Sequence, residues 1–112
     1  MKIAMSLQKE PFEMIKNGKK IYELRLLDEK RKLVKIGDEI EFYCQVLNQK
    51  LTALVVDILV FSNFAELYAT LPPLEIGYTE QAGKTASPDD MLLYYSKEEQ
   101  AEFGVVAIKV RV

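Results

Sequence analysis

Three side chains able to do chemistry crowd into one short run, Gly18-Lys19-Lys20-Ile21-Tyr22-Glu23-Leu24-Arg25. Arg25 offers a planar fork of donors that suits a phosphate or a base edge. Lys20 offers a point charge for a phosphate, or a base where burial lowers a lysine's pKa. Glu23 can accept from an exocyclic amine, as carboxylates do in reading cytosine. Tyr22, Tyr78, Tyr94 and Tyr95 add flat faces on which an unpaired base could stack. Each has a plainer reading: Glu23 and Arg25 as a surface ion pair of little energetic weight, the tyrosines as core or rim packing.

The elements that position these residues follow from the local sequence. Pro11 suits the first turn of a helix, whose apolar side is Phe12, Met14 and Ile15. Gly18 ends that helix, because the residue past a helix end commonly needs a left-handed backbone. A strand is expected from Lys19 onward, with Ile21–Leu27 as its body. On a strand Glu23 and Arg25 share a face and Lys20 has the opposite parity. Lys20 therefore joins them only if the strand twists, bulges or starts later.

Much chemistry is excluded outright. The chain has no histidine and one cysteine, Cys44, so zinc sites and histidine triads are absent. Acid–base work would fall to Lys, Glu, Asp or Tyr. No acidic spacing singles out a magnesium site, and no metal or cofactor is expected. Cys44 reads as a buried, inert thiol.

The 112 residues predict one domain, 1–112, with a single core. The net charge of −2 conceals an asymmetry. Residues 1–35 carry ten Lys/Arg against five Asp/Glu, and residues 36–112 carry five against twelve. One basic face on an acidic protein is thus allowed. The sequence pI of about 5.2 opposes strong non-specific binding to nucleic acid, which draws on many phosphate contacts, but not a pocket for one nucleotide. No run approaches the roughly 20 apolar residues of a membrane span, and the N-terminus lacks the apolar segment of a signal peptide. A cytoplasmic location and no membrane partner are expected.

Along the chain, Lys2–Leu7 reads as a strand, and the charged run 28–32 as a solvated connection or a basic rim for phosphates. Lys35-Ile36-Gly37-Asp38 forms a turn. Glu39–Leu47 is a strand with Ile40, Phe42, Cys44 and Val46 inward. A hairpin at 48–50 leads to the long strand Leu51–Phe61, in which Asp57 faces solvent or marks a bulge. Asn63 caps a helix that Pro72-Pro73 stops. Residues 74–86 show no clear element. Ser87 and Ser96 cap two short helices, Gly104 ends them, and Val105–Val112 is a last strand. The first and last strands are expected to pair. The order predicts an α+β chain: a small β-barrel or strongly curved sheet of mostly antiparallel strands with few helices.

Gly18, Lys20, Glu23 and Arg25 fit the pattern G-x-K-x-x-E-x-R, and in this the chain resembles the ASCH domain family. The resemblance extends through Lys35–Phe42, Phe64–Tyr68, Gly77-Tyr78, Ser87–Met91 and Tyr94–Ser96. It implies a PUA-like β-barrel with short helices packed at its openings. It also implies RNA or a nucleoside-like ligand as partner, in a cleft lined by Gly18, Lys20, Glu23, Arg25, Tyr78 and Tyr95. One branch of the family hydrolyses 4-acetylcytidine with a lysine, a threonine and a glutamate. Lys20 matches the lysine, Glu23 stands in the threonine's place, and Lys84 stands in the glutamate's unless Glu80 or Glu75 substitutes. RNA or nucleotide binding is therefore the first expectation. Hydrolysis of a modified nucleoside or of RNA by Lys20 with Glu23 is the alternative, and a protein-interaction module is the third.

Overall fold

Val105-Val106-Ala107-Ile108 is apolar at every position, the pattern of a strand covered on both faces. The computed structural model, which describes residues 2–112, places this segment at the junction of two cores. Its strands are β1 (Lys2–Ser6), β2 (Tyr22–Leu26), β3 (Glu39–Cys44), β4 (Gln49–Phe61) and β5 (Val105–Arg111). The helices are α1 (Lys9–Lys16), α2 (Phe64–Thr70), α3 (Glu80–Gly83) and α4 (Lys97–Phe103), with 3-10 turns at Arg31–Leu33, Pro73–Ile76 and Pro88–Leu93. The strands form one sheet in the order β1-β3-β4-β5-β2. The sheet curls into a half-barrel, with the helices on its faces and at its open end.

Antiparallel pairing dominates, but β1 runs parallel to β3. This corrects the expected pairing of first and last strands: β5 lies between β4 and β2, and β1 is an edge. The apolar surface of β5 explains the outcome, because an edge position would leave one side of the Val105–Ile108 ladder unpaired. Asp57 does mark an irregularity, since the β4–β5 register shifts between Val55 and Asp57.

One core fills the concave side, where Phe12 and Ile15 of α1 meet Ile3, Met5, Ile40, Phe42, Val106 and Ile108. The other lies across the sheet, where Tyr22, Leu24 and Leu26 of β2 pack with Val105 and Ala107 against Phe64 and Leu67 of α2. Burying a Phe or Leu fully is worth roughly 1.5–3 kcal/mol; the alternate residues of β5 are divided between the two cores, while β2 gives Tyr22, Leu24 and Leu26 to the second alone. Cys44 is fully buried, as its place among β3's inward residues requires.

Three further expectations need correction. β3 stops at Cys44, and Val46 is exposed within a turn whose Asn48 has a positive φ. The segment after α2 is ordered as the Pro73–Ile76 turn and α3, capped by the Thr79 side chain. The segment begun by Ser87 is a 3-10 turn, although its capping box is present. Among the described residues no helix is long and apolar enough to cross a membrane.

Candidate functional site

The strand expected from Lys19 begins only at Tyr22, and this brings the three charged residues together. Gly18 leaves α1 with φ +81°. The amides of Lys19 and Lys20 then both donate to the Met14 carbonyl, and that of Ile21 donates to Glu75. Lys20 thus lies in a tight turn before β2, free of the strand's parity rule. Its side chain crosses Gly77, whose φ is +111°, and a Cβ there would stand 3.1 Å from Lys20 Cδ.

Lys20 Nζ donates to Glu23 Oε1 at 2.8 Å. Arg25 Nε donates to Glu23 Oε2 at 2.8 Å, and Arg25 Nη2 lies 2.8 Å from the same oxygen. Nη2 also donates to the Ser6 carbonyl at 2.9 Å, tying β2 to the other edge strand, β1. Glu23 is 3 % exposed and Lys20 9 %. Glu23 stands opposite Ile108 in the β2–β5 ladder, so its carboxylate faces the concave core. Burial pushes the Glu23 carboxyl up, but the Lys20 and Arg25 charges and hydrogen bonds outweigh it and hold the group below its ordinary value.

This triad floors a cleft of about 490 Å³. One wall is the start of α1, with Gln8, Glu10, Pro11 and Met14; the other holds Tyr68, Gly77, Tyr78, Asp90, Met91, Leu93, Tyr94 and Tyr95. Tyr78 donates to Asp90 Oδ2 at 2.7 Å and shares a 2.8 Å hydrogen bond with the Tyr68 hydroxyl. Tyr95 stacks on Phe64 with centroids 5.9 Å apart. Burial pushes the phenols of Tyr68, Tyr78 and Tyr95 up, and hydrogen bonds to Tyr68 and Asp90 push Tyr78 further.

Of the residues singled out from sequence, Lys20, Glu23, Arg25, Tyr78, Tyr94 and Tyr95 line the cleft. Gly18 does not; it shapes the turn that delivers Lys20. Tyr22 faces the second core, with Lys109 Nζ 6.0 Å from its ring centre. Glu75, Glu80 and Lys84 are not among the lining residues. Tyr68 and Asp90 were not evident as site residues. Tyr68 has helical spacing and Asp90 occupies an ordinary cap position, and only the tertiary fold joins them through Tyr78.

Comparison with known proteins gives a consistent family. No curated protein matches the chain. A crystal structure of hypothetical protein PH0355 is 36 % identical, with a TM-score of 0.80 over 99 % of this chain and 98 % of that one. The solution structure of PF0455 from Pyrococcus furiosus is 34 % identical, with a TM-score of 0.66 over 99 % and 96 %. A mutant of ZmASCH from Zymomonas mobilis, at 18 % identity, shares the fold with a TM-score of 0.67 over 99 % of this chain and 68 % of that one. Residues 5–112 match the ASCH domain family, and the chain belongs to that family.

Proposed function

We propose that the cleft holds an unpaired base of RNA or a nucleoside-like ligand. The observation that carries this is the union of a fixed cationic floor with tyrosine walls in one cavity of about 490 Å³, within the roughly 300–1,000 Å³ usual for ligand pockets. Both Glu23 oxygens are engaged by Lys20 and Arg25, so the carboxylate's part is to aim those cations. Their remaining N–H groups suit acceptors: a base carbonyl, a ring nitrogen or a phosphate oxygen. Asp90 Oδ1 takes no hydrogen bond among the described residues, which leaves an acceptor for an exocyclic amine. Leu93 and Tyr94 at the mouth are 84 % and 60 % exposed, an apolar and aromatic lip suited to stacking.

Binding is favoured over hydrolysis because Lys20 and Glu23 are spent on each other at 2.8 Å and neither Glu75 nor Glu80, the candidates for the missing glutamate, lines the cleft. The test is a thermal-shift and calorimetric titration with nucleosides, acetylated nucleosides and short single-stranded RNA, on wild type and Lys20→Ala. Stabilisation that Lys20→Ala loses is the expected result. Equal stabilisation of both proteins, or none at low salt, would overturn the assignment. Product formation is followed in the same samples, and turnover lost in Lys20→Ala would replace binding with hydrolysis. Absence of any shift would leave the cleft to a protein partner.

A further inference from the structure

Beside the cleft runs a second, more basic groove, which shares Ser6 and Arg25 with it. Its volume is about 780 Å³, and its charged lining is Arg25, Lys30, Arg31 and Lys50 against Glu41 alone. Among the lining residues four cations face one anion, on a chain of net charge −2, while Glu23 and Asp28 pair with Arg25 and Arg31 from outside the lining. Glu41 is itself offset, lying 3.3 Å from Lys2 Nζ and 3.8 Å from Lys50 Nζ. Tyr43, half-buried, is the aromatic residue of the groove.

Two of the cations are held in place by the backbone of β1. Lys30 Nζ donates to the Ala4 carbonyl at 3.2 Å and Arg25 Nη2 to that of Ser6. Arg31 Nη1 donates to Asp28 at 3.1 Å, while its buried Nε finds no acceptor. The groove lining thus holds more cations than carboxylates. That is the complement of a polyanion and not of a neutral nucleoside.

We infer that this groove carries the phosphodiester backbone of the strand whose base enters the cleft, with Arg25 at the junction, so that the ligand is an RNA oligomer. This rests on the base-binding reading of the cleft and adds to it a phosphate path outside the cleft. A free nucleoside would leave the groove unused.

The experiment is fluorescence anisotropy with labelled single-stranded RNA of about four to eight nucleotides, within the range of known single-strand sites, and calorimetry with the free nucleosides. Wild type, Lys20→Ala and Lys30→Gln/Lys50→Gln are compared over a salt series. Both groove lysines are exposed, so the fold should tolerate their loss, which circular dichroism verifies. The expected result is an oligomer bound at least about tenfold tighter than its nucleoside at low salt. In the double variant the slope of log affinity against log salt should fall by about 1.4, two contacts at about 0.7 each for a single strand. An oligomer that binds no tighter than the nucleoside, or an unchanged slope in the double variant, would overturn the phosphate path while leaving the cleft intact. Oligomer binding that survives Lys20→Ala but falls in the double variant would support the groove and refute the cleft. No oligomer binding to wild type would refute the phosphate path.

Discussion

Replacing Glu23 by glutamine keeps the side chain's volume and one acceptor but removes the charge that two cations share. Glutamine can turn its oxygen to Lys20 or to Arg25; its amide then points N–H groups at the other. Lys20 and Glu23 are nearly buried, and the Arg25 side chain is 17 % exposed, so the cation left over is poorly hydrated. Breaking a buried pair on one side costs about 3–5 kcal/mol, and the lower end applies because the cleft admits water to both cations. For a chain of this length about 4 °C is lost per kcal/mol, so Glu23→Gln should melt about 12 °C below wild type. The same substitution should flatten the acid limb of the stability curve. The folded carboxyl lies below its ordinary value of 4.5, so the unfolded chain takes up the proton first as pH falls. Wild type therefore holds this stabilisation in full above pH 4.5 and loses it on acidification toward the folded pKa, and the variant has none to lose. Urea denaturation at several pH values measures both effects. A variant within about 2 °C of wild type, less than 1 kcal/mol on that scale, would refute the claim that the triad is a buried, mutually dependent unit.

Two further outcomes follow from the same geometry. Gly77→Ala places a methyl against the Lys20 stem at a φ of +111°; a left-handed backbone costs a residue with a Cβ about 1–2 kcal/mol, so calorimetry should show a melting point lower by several degrees, and Lys20-dependent ligand binding should weaken. A variant as stable as wild type would mean the backbone relaxes there freely. Tyr68, Tyr78 and Tyr95 are all pushed above the usual phenol value of 10.0. The unfolded chain gives up these protons first, so stability should decline as pH climbs past 10. In Tyr78→Phe that decline should be shallower, with the phenolate absorbance of Tyr68 also displaced.

Local signals with a single physical cause were legible in the sequence. Ser87 and Ser96 form their capping boxes, Asn63 accepts from the Glu66 amide at 2.9 Å, and Gly104 leaves α4 with φ +71°. The grouping of Lys20 with Glu23 and Arg25 was legible as residue types, not as geometry. Whether Lys20 belongs depends on where β2 starts, and that depends on the Met14 and Glu75 carbonyls. The β1–β3 pairing was hidden for a related reason. A parallel ladder leaves no turn signature between its strands, since Ser6 and Glu39 are separated by a helix and a strand of the opposite edge. Val46 continues the alternation of β3, yet the turn at Asn48 overrides it. The tyrosine wall needed the Tyr68–Tyr78–Asp90 chain, whose members come from α2, the connection before α3 and the Pro88–Leu93 turn.

Arg25 joins the fold to the site. The half-barrel has two free edges, β1 and β2, and an uncovered edge invites wrong pairing. Arg25 reaches from β2 to the Ser6 carbonyl on β1, and Lys30 reaches to Ala4 on the same strand, so cations cover an edge that backbone would otherwise close. A guanidinium has five N–H donors. Nε and Nη2 are committed to Glu23 and Ser6, while Nη1 takes no acceptor among the described residues. The side chain is thus fixed in place by one part of its fork while the rest stays open at the boundary of cleft and groove. A lysine there could not do both, because one ammonium lacks the span of a planar fork. Ordering a donor before the ligand arrives reduces the entropy that binding must overcome, and at Arg25 that ordering is supplied by the bridge from β2 to Ser6 of β1.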